Sequence, residues 1–149
     1  MPLEVPASLK NAHDALHVGL KRAMREPGRT GEAARKVMQI MDGHMLREEK
    51  FALRPLGLLK ELGLGQTPLE LAEGARMVQG LKGEMAQMVN EHRQIAELLR
   101  QLAREAEAEG KPEYVELAEE MILHAQLEED VLYPAALLVG EYAARVGKS

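Results

Sequence analysis

Apolar residues recur at steps of three and four along four stretches of the chain, a spacing typical of amphipathic α-helices. Clusters of Pro and Gly separate the stretches at "EPGRTG" (26–31), "GLGQTP" (63–68) and "EGKP" (109–112). Between these clusters there is little of the Val, Ile and Thr alternation that indicates strands. The pattern therefore predicts four helices, over about residues 8–25, 30–60, 68–109 and 112–146.

Short connections between long helices favour antiparallel neighbours. The predicted fold is therefore all-α, an up-down-up-down antiparallel four-helix bundle that forms one domain over residues 1–149, with its core at about 8–142. Thr67 and Pro68, with Glu70, predict a capped start for the third helix, and Pro112 predicts the first turn of the fourth. Glycines at 74, 80 and 83 predict that the third helix is bent or broken near its start.

Composition narrows the class of protein. Aromatic residues make up only 3% of the 149 residues and nine residues are Met, so the core is expected to be aliphatic, with Met filling gaps. The net charge of −5, without a basic stripe, argues against nucleic acid as a partner. The absence of Cys excludes disulfides and thiolate metal sites. No apolar run is long enough for a membrane span and the N-terminus does not resemble a signal peptide, so we expect a cytoplasmic protein without a membrane partner.

Histidine and glutamate interrupt the otherwise apolar stripes. Counted from the predicted turns, the four histidines concerned fall near one level of the bundle. A buried polar group without a partner costs a few kcal/mol, so these side chains must compensate one another or bind something else. The six residues are His13 in the first helix, His44 and Glu48 in the second, His92 in the third, and His124 and Glu128 in the fourth.

The chain also resembles itself at an offset of about eighty residues. "HMLREEKFALRPL" begins at His44 and "HAQLEEDVLYPAAL" at His124, and both read His-x-x-x-Glu-Glu followed by an apolar stretch and a proline. "HDALHVGLKRAM" from His13 matches "HRQIAELLRQLA" from His92 in its apolar spacing. Each half thus supplies one His and then one His-x-x-x-Glu.

His and Glu four residues apart project from one helix face and can reach the same point between helices. Two imidazoles and a carboxylate suit Fe, with Mn or Zn possible. A single His on such a stripe is more often a hydrogen-bonded core residue, but six matched residues favour metal. We therefore predict two metal ions per chain, bridged by Glu48 and Glu128, whose carboxylates each offer two oxygens.

His17 has no counterpart in the other half. It lies one turn after His13, and it is expected either to ligate metal or to hydrogen-bond a carboxylate beside the site. If it ligates, one metal has three imidazoles from His13, His17 and His44, and the other has two from His92 and His124.

The remaining candidates have plainer interpretations. Glu49 and Glu129 point about 100° away from the neighbouring glutamates and are expected to be solvated. Tyr133 and Tyr142 are expected to be packing residues, with a hydrogen bond from Tyr133 near the site as the lesser alternative. The methionines of "MQIM" and "EMAQM" are expected in the core.

Taken together, "HDALH", "HMLREE…P", "EHRQI" and "HAQLEEDVLYP" resemble the hemerythrin or HHE cation-binding family over about residues 8–142. The resemblance implies a four-helix bundle that holds a carboxylate-bridged diiron centre. By position it makes terminal ligands of four histidines and bridges of two glutamates. These are His13, His44, His92 and His124, with Glu48 and Glu128.

The chain departs from the oxygen-carrying members of that family. Those members place two histidines one turn apart on the third helix, whereas here Met88 and Ala96 flank His92. Their last motif has a longer His-to-Asp spacing than His124-x-x-x-Glu128. Iron remains the expected metal, but reversible oxygen carriage does not follow from the resemblance.

Three functions are open at this point. The favoured one is a non-haem diiron protein that binds oxygen, nitric oxide or peroxide for storage, sensing or scavenging. A diiron oxidase or peroxidase-like enzyme is the second, and the scarcity of aromatic residues argues against it. The third is a metal-responsive interaction module, which would need a large exposed apolar strip. "YPAALLVGEY" near the C-terminus is the only candidate for that strip, and its expected place is the core.

Overall fold

The computed structural model describes residues 3–146, and within them it contains helices and no strand. The all-α class is confirmed, and four helical rods pack against one another. Two rods are continuous successions of different helical turns. The α-helices are α1 (Ala7–Met24), α2 (Gly28–Glu48), α3 (Leu59–Gly63), α4 (Leu71–Ala108), α5 (Pro112–Leu127) and α6 (Tyr133–Val146).

The second and fourth rods change their hydrogen-bonding pattern at the paired glutamates, Glu48 and Glu49 in one and Glu128 and Glu129 in the other. A π-helical turn at Glu49–Leu53 and a 3₁₀ turn at Arg54–Leu58 join α2 to α3, and a π-helical turn at Glu128–Leu132 joins α5 to α6. Proline causes both π turns, because Pro55 and Pro134 have no N–H for the bond to the residue four back. The N–H just before each proline instead bonds five residues back: Arg54 to the Glu49 carbonyl, and Tyr133 to the Glu128 carbonyl.

The start of α4 differs from the sequence prediction. Pro112 does lie in the first turn of α5, as predicted. The predicted cap at Thr67 is wrong, however, because α4 begins at Leu71 without a side-chain cap. Pro68 belongs to a preceding turn, in which its carbonyl accepts the Leu71 N–H at 3.3 Å.

The predicted break in the third helix does not occur, since α4 is helical from Leu71 to Ala108 without interruption. Its glycines instead allow close approach of the second rod. A Cβ at Gly74 would lie 2.6 Å from the Leu58 Cδ1, and a Cβ at Gly80 would lie 2.5 Å from two atoms of the Phe51 ring. Gly74 and Gly80 therefore allow close helix packing that a Cβ would obstruct.

The core is aliphatic, as predicted, and it lies on both sides of one polar layer. One cluster includes Leu20, Val37 and Leu99, and a second, around the π turns, includes Leu53 and Met88. The histidine and glutamate layer lies between these clusters. Within residues 3–146, no helix has the length and apolar character needed to cross a membrane.

Candidate metal centre

Six polar side chains meet in the centre of the bundle, where the surrounding residues are apolar. Five of them are at most 6% exposed, and His124 is the most accessible, with 16% of its side chain exposed. The six are those that interrupt the apolar stripes of the sequence: His13, His44, Glu48, His92, His124 and Glu128.

The six residues form two groups that share both glutamates. One group is His13, His124 and the two carboxylates; the other is His44, His92 and the same carboxylates. In each group the four candidate ligand atoms lie within 4.8 Å of one another, so each group could hold a metal ion. The pairing differs from the expected one, because each half of the internal repeat contributes one His to each group.

The two oxygens of each carboxylate face different groups. Glu48 Oε1 lies 2.7 Å from the His13 Nε2, and its Oε2 lies 3.2 Å from the His44 Nε2. Glu128 repeats this arrangement, with Oε2 at 3.2 Å from the His124 Nε2 and Oε1 at 3.2 Å from the His92 Nε2. Both carboxylates are therefore oriented to bridge two ions.

Two of the imidazole nitrogens inside the layer lack a hydrogen-bond partner and are suited to bind a cation. The Nε2 atoms of His44 and His124 are buried and have no hydrogen-bond partner among the described residues, although each lies near a carboxylate. Buried polar atoms in folded proteins are nearly always paired, so two such orphans in one layer indicate a missing partner. Because His44 and His124 belong to different groups, one metal ion in each group would take one of these lone pairs.

The protonation of the layer leads to the same conclusion. Burial alone would lower the pKa of His13, but hydrogen bonds and charge from Glu128 and Glu48 raise it to about 10, and the same causes raise the pKa of His92 to about 10. Burial opposes ionisation of Glu48, yet hydrogen bonds within the layer hold its pKa well below its usual range. The two carboxylates thus favour positive charge beside them. Protons on His13 and His92 supply that charge when no metal is bound.

Three further carboxylates lie on the outer nitrogens of the histidines. Glu91 accepts a hydrogen bond from the His44 Nδ1 at 2.9 Å and is also held by Arg47. Glu129 is hydrogen-bonded to the His92 Nδ1 at 3.2 Å. Glu49 lies 3.4 Å from the His13 Nδ1 but makes no hydrogen bond to it. A hydrogen-bonded carboxylate, as on His44 and His92, fixes the ring and makes its inner nitrogen a stronger ligand.

The expectation that Glu49 and Glu129 are merely solvated is therefore wrong. Each follows a bridging glutamate directly and lies in the first residues of a π turn. The duplicated Glu-Glu pair was the available sequence signal for this role. For Glu91 the signal was weaker, namely an acid next to a candidate ligand.

Tyr133 also contacts the histidine and glutamate layer. Its side chain is fully buried, its ring stacks on that of His92 at 5.6 Å between centroids, and its hydroxyl donates to the Glu48 Oε2. Burial and the charges of Glu48 and Glu128 raise its pKa, so the phenol keeps its proton. Tyr133 is thus more than a packing residue, whereas Tyr142 is 42% exposed.

These outer contacts break the symmetry of the internal repeat. The position five residues after the bridging glutamate is Tyr133 in one half and the buried Leu53 in the other. The residue before the first histidine of each half is Glu91 in one and Ala12 in the other. Consequently no carboxylate within residues 3–146 lies in ion-pair range of the His124 Nδ1.

His17 lies outside both groups. Its side chain is 29% exposed, and its Nε2 is 3.8 Å from the Asp42 Oδ1. The structure gives His17 no support as a ligand, because its ring is directed towards Asp42 rather than into either group. The two groups that the described residues form each contain two imidazoles, and neither contains three.

A small cavity lies within the layer and is lined by all six of its histidines and glutamates. Its volume is about 30 Å³, and its wall away from the histidines and glutamates consists of apolar side chains. One water needs about 10–15 Å³ by the same measure, so the cavity has room for about two atoms of water size. The apolar wall is formed by Leu16, Met41, Met45, Ile95, Met121 and Ala125.

Compared with known proteins, the chain matches no family model, no curated protein and no solved structure. The chemistry of the centre must therefore be inferred from its own residues.

Proposed function

We propose that the protein is a hemerythrin-like non-haem diiron protein that binds oxygen, nitric oxide or peroxide for storage, sensing or scavenging. One observation carries the proposal: two pairs of buried histidines share two buried carboxylates, and all six side chains line a small cavity. In this proposal each iron has two imidazoles and is linked to the other by Glu48 and Glu128. The two ions would lie within about 4 Å of each other, as in other two-metal sites.

The donor set supports iron in particular. Imidazole nitrogen and carboxylate oxygen, without thiolate, suit Fe, Mn and Zn. Two histidines and two shared carboxylates leave each ion short of six ligands, which is the arrangement that iron uses to bind small molecules. Iron supplies the redox chemistry and the open coordination position, while the chain supplies ligands, charge and exclusion of water.

The cavity supports a very small ligand with little charge. Met41, Met121 and Ile95 line its far side, and aliphatic and thioether groups offer no strong hydrogen bond to an anion or an organic substrate. Its volume of about 30 Å³, which bound metal ions would share, leaves room only for a very small ligand. Oxygen and nitric oxide fit this description best, followed by peroxide.

The proposal includes an up-down-up-down arrangement of the four rods, as in bundles whose helices are joined by short turns. Contacts between successive rods support it, because residue numbers fall in one rod as they rise in its neighbour. Lys10, His13 and His17 contact Glu49, Glu48 and Asp42 in that order. The fourth and third rods behave alike, with Glu129 on His92 and Glu141 on Lys82.

A second function, an oxidase or peroxidase-like enzyme, is favoured by one observation. Tyr133 is a redox-capable side chain whose hydroxyl contacts Glu48 and lies 3.3 Å from the His92 Nε2. Against it, the cavity contains no acid or base besides the layer itself and has no room for an organic substrate.

Metal analysis of aerobically purified protein, with an absorption spectrum before and after azide, tests the proposal. We expect two irons per chain and charge-transfer bands that respond to azide. One zinc per chain and no visible band would rule out both diiron functions and leave a metal-responsive interaction module.

The two diiron functions are separated by turnover. A binding protein should take up nitric oxide or oxygen in a ratio fixed by its iron content and then stop. An enzyme should consume peroxide through many cycles, and Tyr133→Phe should slow that turnover. Sustained peroxide consumption by the native protein that falls in Tyr133→Phe would replace the binding function with the enzyme.

A further inference from the structure

A line of exposed apolar side chains follows the outer face of the fourth rod. Ten large apolar side chains within residues 3–146 are exposed, and five of them lie on this rod: Leu123 (63%), Leu127 (45%), Val131 (51%), Leu138 (68%) and Tyr142 (42%). We call these five residues the outer stripe. The other five are spread over α1, α2, α3 and the connection to α4.

Helix geometry and burial place the five residues on one side of the rod. Steps of four residues stay on nearly the same face of an α-helix, which puts Leu123 with Leu127 on α5 and Leu138 with Tyr142 on α6. The π turn that contains Val131 lies between these pairs, and all five side chains are exposed. The opposite face carries the buried Met121, Glu128 and Tyr133, so the outer stripe faces away from the metal layer. From Leu123 to Tyr142 it is roughly 28 Å long at 1.5 Å per residue.

The outer stripe differs from ordinary exposed leucines because its members lie in a row on one rod. Single exposed apolar residues are common on soluble proteins, but a continuous apolar surface usually marks a contact with another molecule. The segment "YPAALLVGEY" had been expected in the core, and Tyr133, Ala136 and Val139 do lie there. Leu138 and Tyr142 lie on the other face of the same helix and are exposed.

Four of the five stripe residues are placed symmetrically along the chain. About a midpoint between Leu132 and Tyr133, Leu123 lies as many residues away as Tyr142, and Leu127 as many as Leu138. A two-fold axis at that midpoint would therefore place these two pairs opposite each other, while Val131 would face Pro134 near the axis. In a two-fold interface every contact between two positions occurs twice.

The charges at the two ends follow the same rule. Glu120 and Arg145 are both exposed and lie at equal distances from the midpoint, beyond the ends of the stripe. In the antiparallel arrangement Glu120 of each copy faces Arg145 of the other, which makes two ion pairs. A parallel arrangement would place like charges opposite each other at both ends, which is unfavourable.

We propose that the outer stripe is the contact surface for a second copy of this chain, with the two fourth rods packed antiparallel about the midpoint between Leu132 and Tyr133. The occupant is a second copy because both the apolar spacing and the end charges are self-complementary. The surface is separate from the metal centre, and the dimer forms whichever function the centre has.

Sedimentation equilibrium on the purified protein tests the dimer. We expect a mass twice the 16.5 kDa of the chain. Leu127→Glu places two like charges within the apolar contact and should give monomers. Leu46→Glu is the control, because Leu46 is also exposed, at 67% against 45% for Leu127, but lies on α2; this variant should remain a dimer.

Charge reversal tests the antiparallel register. Glu120→Arg and Arg145→Glu should each weaken the dimer about tenfold or more, because like charges then face each other at both ends. The double variant should restore the affinity, since both ion pairs re-form with reversed polarity. Single variants that dissociate without rescue in the double variant would overturn the register.

Disulfide formation gives an independent measure, since the native chain has no cysteine. A mixture of Leu123→Cys and Tyr142→Cys proteins should form mixed disulfides, whereas Leu123→Cys protein alone should not link to itself. A native protein that stays monomeric at the highest soluble concentration, or a dimer that Leu127→Glu leaves intact, would overturn the proposal and leave a different protein as the occupant of the stripe.

Discussion

The bridging and outer glutamates differ in what they contact, although they are neighbours in sequence. Glu48 lies within 3.7 Å of three histidine Nε2 atoms, whereas Glu49 reaches only the outer nitrogen of His13. In the proposed diiron centre, the loss of a bridging carboxylate would remove a ligand from both metals. A lost outer carboxylate weakens one imidazole by a smaller amount.

Glutamine substitutions separate these roles. We expect Glu48→Gln or Glu128→Gln to bind at most one metal per chain even at saturation. Glu49→Gln and Glu129→Gln should still reach two, with affinity lower by about 10–100-fold. Metal titration followed by elemental analysis measures both quantities, and equal losses across the four variants would contradict the bridging assignment.

His17 provides a control within the same helix. We expect His17→Ala to keep both metals and an unchanged azide affinity, because its ring is directed towards Asp42 and lies outside the two groups. His13→Ala should lose metal, since His13 belongs to one group and touches both carboxylates. A shifted azide spectrum in His17→Ala would return His17 to the metal centre.

Tyr133 contributes a hydrogen bond to a charged acceptor in the core. Tyr133→Phe removes the donor to Glu48 while keeping the ring, so it should cost about 1.5–3 kcal/mol of unfolding free energy. Urea unfolding of the metal-loaded protein measures this change. Tyr142→Phe, at a 42% exposed position, should be neutral, and equal effects of the two substitutions would refute the buried bond.

At the scale of the helical elements, the π turns explain why Tyr133 lies on the same inner face of the fourth rod as Glu128. The bond from the Tyr133 N–H to the Glu128 carbonyl stacks residues five apart, so Tyr133 follows Glu128 on the inner face. In the second rod the equivalent turn places Leu53 after Glu48 in the same way. Pro55 and Pro134 follow these turns and have no N–H for the bond to the residue four back, so each interrupts the α-helical pattern next to the site.

The end of α4 holds the start of α2 through one carboxylate. Glu109 accepts hydrogen bonds from the backbone N–H groups of Arg29 and Thr30 and from the Thr30 hydroxyl. These bonds satisfy donors that the first turn of a helix cannot pair internally. They also lower the pKa of Glu109 to about 2.

Because the folded-state pKa of Glu109 lies below the ordinary value of 4.5, its contribution to stability is complete above about pH 4.5 and is lost as the pH falls towards 2. Glu109→Gln should therefore have a lower melting temperature than the native protein at pH 6. The difference between the two melting temperatures should become smaller as the pH falls to 3. Glu107→Gln, at an exposed position in the same turn, is the matched control and should match the native protein throughout. A gap that stays constant with pH would show that Glu109 does not act through its charge.

At the scale of the whole molecule, the metal centre couples stability to pH. Without metal, the raised pKa values of His13 and His92, about 10 each, mean that these residues stabilise the fold below their unfolded value of about 6.5. That stabilisation is lost as the pH rises towards 10. Metal-loaded protein has cations in place of these protons and does not share the loss.

We therefore expect chelated protein to lose melting temperature steadily between pH 6.5 and 10, while metal-loaded protein stays nearly constant. At a metal concentration a hundred times the dissociation constant, binding adds about 2.7 kcal/mol to unfolding free energy. Differential scanning calorimetry with and without a chelator measures both effects. Parallel pH profiles for the two forms would mean that the imidazoles are not linked to a bound ion.

The sequence by itself determined the helices and the six residues of the layer. Both follow from periodicity, because an apolar stripe at steps of three and four must face inward, and His44, Glu48, His124 and Glu128 occupy positions on such stripes. The internal repeat then marked the polar residues as a matched set. These signals are local in sequence, so they can be read without knowing which helices are neighbours in the fold.

Only the tertiary structure decided how the layer is connected. The pairing of His13 with His124, the outer contacts of Glu49, Glu91 and Glu129, and the hydroxyl bond of Tyr133 all depend on distances between different helices. Each π turn contains one more residue than an α-helical turn, so the residues after it lie on a different face from the one that a uniform α-helical count predicts. Periodicity states that a side chain points inward, but the packing of the four rods determines what it meets there.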